Sequence, residues 1–101
     1  MEIEFQGQYD KAIESYTSVI KLDREFYEAY NDRGSSYGSQ GKFEQAIEDF
    51  NKAIEMKQDP SFYTNRGEAY HGKNNCTLAR LDWDKACTLG DSRACNKWCL
   101  Q

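Results

Sequence analysis

Reactive side chains are few in this chain and gather toward one end. The single histidine is His71, and the four cysteines, Cys76, Cys87, Cys95 and Cys99, lie in its last quarter. Together they could ligate zinc, but no Cys-x-x-Cys pair is present and the spacing is not that of a structural site, so no metal is expected. Catalysis would need a base held against a nucleophile in a pocket. His71 falls near a helix end without an identifiable partner. The carboxylates Glu48 and Asp49, and Asp82 and Asp84, are expected on helix surfaces, facing solvent. Gly34 and Gly38 sit inside or at the end of a helical pattern rather than between strand and helix, so they form no phosphate loop. No catalytic residue and no cofactor is expected, and the chain reads as a binding protein rather than an enzyme.

The elements that hold these residues are repeated. GKFEQAIEDFNKAI (Gly41 to Ile54) has a counterpart 34 residues earlier, GQYDKAIESYTSVI, pairing Gly7 with Gly41 and Ala12 with Ala46. DFNKAIEM (from Asp49) returns 33 residues later as DWDKACTL, and YNDRGSSY (from Tyr30) returns at the same shift as YTNRGEAY. Helix-length units at this period indicate stacked helices. Apolar residues three and four apart predict helices over Gln8–Leu22, Glu25–Ser39, Lys42–Lys57, Ser61–Lys73 and Cys76–Leu89. Met1–Gln6 is a short segment that Gly7 should stop. Gly38 and Gly41 should close the second of these helices, Asp59-Pro60 should open the fourth, and Asn74 and Asn75 should make the turn after it. Asp91 or Ser92 should cap a last short helix carrying Ala94, Cys95, Trp98 and Cys99. Connections this short make neighbouring helices antiparallel.

A chain of 101 residues suits one domain. Hydrophobic residues are 39% of it, and no apolar run is long enough to span a membrane. A net charge of −4 argues against nucleic acid as the main ligand, because affinity there comes from neutralising phosphates. The opening MEIEFQGQYD has neither a basic nor an apolar signal region, so a cytoplasmic location is expected over an extracytoplasmic one.

These residues resemble the tetratricopeptide repeat. Its signature positions are matched by Tyr30, Gly34, Tyr37, Gly41, Phe43, Ala46, Phe50 and Ala53, then by Tyr63, Gly67, Tyr70, Ala79, Trp83 and Ala86. An earlier partial copy holds Gly7, Tyr9, Ala12, Tyr16 and Val19. The resemblance implies an all-α fold, a right-handed superhelical stack of antiparallel helix pairs with about five full helices and a short C-terminal capping helix. One domain over residues 1–101 would divide into a partial first repeat (1–24), a second (25–59), a third (60–90) and the cap (91–101). Gly34 with Ala46, and Gly67 with Ala79, are small where paired helices cross.

The resemblance also implies a concave groove for a peptide or partner segment. By position its lining is Glu28, Asn31, Asp32 and Ser35 from one helix, and Thr64, Asn65, Glu68 and His71 from the next. Some members clamp a terminal carboxylate with lysines, asparagines and an arginine. Here only Asn65 matches, with Asn31 where a lysine would stand and Ser35 where an asparagine would, so that clamp is not expected. Arg33 and Arg66 should brace neighbouring helices. The first helix of the first repeat is expected to be missing or reduced to Met1–Gln6, which would leave Ile13, Tyr16 and Ile20 uncovered. Self-association through residues 8–22 is therefore the alternative to peptide binding.

Cys76 replaces the aromatic found at Tyr9 and Phe43, and Cys87 replaces Ile20 and Ile54. Both fit as free thiols in the core. KACTLGDSRAC also resembles Sel1-like and other cysteine-rich helical repeats, whose cysteines at this spacing staple adjoining helices. That resemblance implies a Cys87–Cys95 disulfide and an oxidising compartment. Cys95 and Cys99, one helical turn apart, are a poor pair.

Overall fold

In the computed structural model, which describes residues 2–99, five helices follow one another. They are α1 (Glu2–Leu22), α2 (Tyr27–Ser39), α3 (Phe43–Met56), α4 (Pro60–Gly72) and α5 (Cys76–Thr88), followed by a short 3-10 helix at Ala94–Asn96. Successive helices pack as antiparallel pairs into an α-solenoid, with α1 on α2, α2 on α3, α3 on α4 and α4 on α5.

Local chemistry sets the boundaries. Asp59 accepts from the Ser61 amide at 2.9 Å and Pro60 occupies the first turn, opening α4. Gly41 (φ 78°) and Asn74 (φ 64°) supply the left-handed residues that turn α2 into α3 and α4 into α5. The Asn75 side chain caps α5 by accepting from the Leu78 amide at 3.2 Å. Residues 23–26 form a turn, with the Asp23 carboxylate accepting from the Glu25 amide at 3.0 Å, so α2 starts two residues later than the periodicity suggests.

Two local expectations are corrected. Gly7 does not stop a helix, because α1 runs through it from Glu2. One interior glycine costs about 1 kcal/mol against alanine, less than ending a helix and leaving its backbone groups unpaired. After Gly90 (φ 116°) the chain makes only the single 3-10 turn rather than an α-helix, and the Asp91 carboxylate accepts from the Arg93 amide at its start (3.1 Å). Trp98, expected within that helix, lies beyond the 3-10 turn and is 67% exposed.

Close helix crossings hold each pair. A Cβ added to Gly34 would lie 2.8 Å from the Phe50 ring and 3.1 Å from the Ala46 carbonyl oxygen. At Gly67 the corresponding neighbours are the Trp83 ring at 2.6 Å and the Ala79 carbonyl oxygen at 3.1 Å. Ala46 and Ala79 are fully buried at these crossings beside Phe50 and Trp83, and Ala53 and Ala86 are fully buried in the core that includes Phe62. Ile13, Tyr16 and Ile20 are half-buried on α1.

Asp49 and Asp82 correct the solvent-facing expectation, since both are buried. Arg33 holds Asp49 through two hydrogen bonds (2.8 and 2.7 Å) and donates to Thr17 on α1 at 3.1 Å. One repeat on, Arg66 holds Asp82 at 2.9 and 2.8 Å and donates to Asn51 on α3 at 2.8 Å. Each arginine thus ties three consecutive helices. Its guanidinium also lies over two tyrosine rings, Tyr30 and Tyr37 or Tyr63 and Tyr70. Hydrogen bonding to the aspartate raises each guanidinium pKa, against the opposing effect of burial.

The cysteines are not free thiols. Cys87 is bonded to Cys95 (Cα–Cα 4.8 Å), and Cys76 to Cys99 (5.9 Å), a pairing the spacing did not bring to notice. Core position and disulfide are compatible, because Cys76 and Cys99 are buried and still reach each other where the chain folds back over α5.

Candidate functional site

Residues from α1, α2, α4 and the C-terminal segment line three adjoining cavities. The first, of about 200 Å³, lies between Tyr9 and Tyr16 of α1 and Asp32, Ser35, Ser36 and Ser39 of α2. The second, of about 240 Å³, is bounded by Ser35, Gly38 and Ser39 of α2, Phe43 and Phe50 of α3, and Asn65, Glu68 and Ala69 of α4. The third, of about 300 Å³, is bounded by Thr64, Asn65 and Glu68 together with Arg93 and Lys97. Ser35 and Ser39 belong to the first and second cavities, and Asn65 and Glu68 to the second and third. Neighbouring cavities therefore share walls and follow one another as a trough across the helix pairs.

This continuity follows from the repeat. Helices α2 and α4 are equivalent at a 33-residue shift, which aligns Asn31 with Thr64 and Asp32 with Asn65; across the two helices the Asn65 amide donates to Asn31 Oδ1 at 3.0 Å. Phe43 and Phe50 of the intervening helix form an apolar floor, and serines and asparagines form the rim. Such a lining suits a ligand with an apolar group to bury and backbone amides to hydrogen-bond.

At its far end the C-terminal segment folds against α4. Thr64 donates to Asp91 Oδ2 at 2.8 Å, and Lys97 pairs with Glu68 at 2.6 Å. The Thr64 hydrogen bond, aided by the Arg93 amide and charge, holds the Asp91 carboxyl below its ordinary pKa. Lys97 also lies 5.8 Å from the Trp83 ring centroid.

Of the residues expected to line the groove, Asp32, Ser35, Thr64, Asn65 and Glu68 border these cavities, and Asn31 joins them through Asn65. Thr64 is buried, so its hydroxyl acts on Asp91 rather than on an incoming group. Glu28 and His71 line none of the three cavities; His71 is exposed, 5.7 Å from the Trp83 ring centroid. Tyr16, expected on a self-association face, lines the trough. Sequence reasoning missed the floor residues Phe43, Phe50 and Ala69, whose helical spacing marks them only as core. It also missed Arg93 and Lys97, which stand outside the repeat. Among the described residues, no group of histidine, cysteine, aspartate and glutamate is arranged to hold a metal ion. No described helix is long and apolar enough to cross a membrane.

Known proteins share this architecture. A tetratricopeptide repeat profile matches residues 27–60 and a TPR repeat profile matches residues 6–41, between them more than half of the chain. The Hsp70-Hsp90 organising protein of Plasmodium falciparum is 32% identical over 68 residues, covering 66% of this chain and 27% of that protein. This chain therefore spans only about a quarter of that relative. The first TPR domain of Spaghetti (RPAP3), solved bound to the HSP90 peptide SRMEEVD, superposes with a TM-score of 0.83 at 29% identity, covering 90% of this chain and 75% of that one. The Arabidopsis OM64 TPR domain gives 0.80 at 28% identity, covering 83% of this chain and 70% of that one. With its helix order, its glycine–aromatic crossings and these matches, the chain belongs to the tetratricopeptide repeat family, whose domains are protein–protein interaction modules.

Proposed function

We propose that the trough is a groove receiving an extended segment of a partner protein, with one apolar side chain of that segment seated in the middle cavity. The observation that carries this reading is the continuity of the three cavities through Ser35, Ser39, Asn65 and Glu68. A path that crosses α1, α2, α4 and the C-terminal segment suits an extended chain better than a compact small molecule. The similar Spaghetti domain, bound to an HSP90 peptide, supports the class of ligand. Recognition here rests less on a terminal carboxylate. Asn31 stands where the clamp's lysine would be, and its side-chain oxygen is already engaged by Asn65. The Phe43, Phe50 and Ala69 floor then supplies apolar burial, and Ser35 and Ser39 the polar contacts along the backbone.

A displayed library of random octapeptides tests this. Peptides selected on the wild-type chain should bind Ser35→Trp about tenfold or more weakly, a loss of about 1.4 kcal/mol. Ser35 is exposed and borders two of the cavities, so tryptophan there fills the trough without entering the core. Equal binding to both forms, with melting unchanged, would place the contact elsewhere and overturn the groove.

A further inference from the structure

We propose that the Cys87–Cys95 disulfide is a thiol-exchange site whose opening loosens the C-terminal wall of the trough. The consequence for ligand binding rests on the groove reading above.

The two disulfides differ in access. Cys76 and Cys99 are 4% and 8% exposed, within the core. Cys95 is exposed and Cys87 half-buried, so a dissolved thiol reaches this bond first. Arg93 and Lys97 stand two residues to either side of Cys95, each paired with a carboxylate (Asp91 at 3.5 Å, Glu68 at 2.6 Å), so access rather than local charge sets which bond exchanges first.

Exchange with a low-molecular-weight thiol proceeds in two balanced steps. Its thiolate attacks Cys95 Sγ, forming a mixed disulfide, and the electron pair of the broken bond leaves on Cys87 Sγ, which takes a proton from water. A second thiolate attacks the added sulfur and releases Cys95 as a thiolate that is protonated in turn. Two thiols are oxidised to one disulfide while the protein disulfide is reduced to two thiols.

The wall contacts lie on both sides of this bond. Asp91, four residues before Cys95, receives the Thr64 hydroxyl, and Lys97, two residues after it, pairs with Glu68. Between Gly90 and Cys99 the only regular structure is the single 3-10 turn. The segment is therefore positioned by its cross-links and these side-chain contacts rather than by a helix of its own. With Cys87–Cys95 open, the buried Cys76–Cys99 bond, at a sequence separation of 23, still tethers the segment but no longer fixes its middle. The result is a wall that loosens while the solenoid remains folded.

Hydrogen exchange read by mass spectrometry, on the intact ligand-free chain across a dithiothreitol series, tests this. Alkylation should label Cys87 and Cys95 before Cys76 and Cys99. At that stage residues 89–97 and the first half of α4 should exchange about tenfold faster, with α3 unchanged. A Cys87→Ser/Cys95→Ser variant should show the fast exchange without reductant, while Cys76→Ser/Cys99→Ser should keep the slow exchange until reductant is added. Earlier labelling of Cys76 and Cys99, or unaltered wall exchange once Cys87–Cys95 is open, would overturn the proposal. Selected octapeptides should bind the Cys87→Ser/Cys95→Ser variant about tenfold more weakly. Equal binding alongside a loosened wall would overturn the coupling and leave the groove reading intact. A library that yields no binder would sink the groove reading together with that coupling, and the exchange data would decide the thiol site alone.

Discussion

Arg33 and Arg66 each join three consecutive helices. Each neutralises a buried aspartate, donates to the helix on its other side and lies between two tyrosines. The two members of a pair are not equivalent. Asp82 is 7% exposed at its side chain and Arg66 22%, so the arginine can recruit water and the carboxylate cannot. Arg66→Met should therefore cost about 3 kcal/mol by stranding a buried charge, and Asp82→Asn about 1–2, a ranking that urea denaturation would read. Asp91 carries a pH signature. Because its folded pKa is lowered, chiefly by the Thr64 hydroxyl, the stability it contributes is present above the ordinary aspartate value and is lost as pH falls through the lowered one. Its carboxyl carbon resonance should titrate below that ordinary value. Thr64→Val should raise the midpoint toward it, and an unmoved midpoint would remove Thr64 as the main cause.

At the scale of the helices, glycine marks two opposite situations. Gly67 accepts the Trp83 ring at a distance no real Cβ could share, whereas a Cβ at Gly7 would meet nothing within 4 Å. Alanine at position 67 should cost about 1–3 kcal/mol through overpacking, and alanine at position 7 should add about 0.5–1 kcal/mol of helix stability. Thermal melts of the two variants should move in opposite directions. The crossings were legible beforehand because Gly34 and Gly67 recur in register with Ala46 and Ala79. The continuity of α1 through Gly7 was not, since a lone glycine looks the same whether it stops a helix or lies within one. The burial of Asp49 and Asp82, expected to face solvent, was not legible either, although each follows its arginine by 16 residues in both repeats. That doubled spacing was the available signal, hidden because a carboxylate in a helix is ordinarily solvated.

For the whole molecule, the end of the stack is where repetition stops informing. A shift of 33 residues from Pro60, which opens α4, arrives at Arg93, where another helix would begin. The chain instead makes one 3-10 turn and closes the stack with cross-links, so Arg93 and Lys97 reach the trough from a segment that no repeat pattern describes. Four cysteines allow three connectivities, and helical spacing alone could not bring Cys99 back to Cys76. The connectivity is nested, with Cys87–Cys95 inside the span of Cys76–Cys99, and that nesting sets the energetics. With the inner bond intact, the outer one closes an effective loop of about 15 residues, worth about 3 kcal/mol in chain entropy. The inner bond closes a loop of about 8 residues and should contribute about 2 kcal/mol, since the outer tether already restricts the unfolded chain. Under non-reducing conditions Cys76→Ser/Cys99→Ser should therefore lower the unfolding free energy more than Cys87→Ser/Cys95→Ser, with α1 to α4 still folded in both by circular dichroism. The reverse order would mean that the exposed bond, rather than the buried one, carries the end of the solenoid.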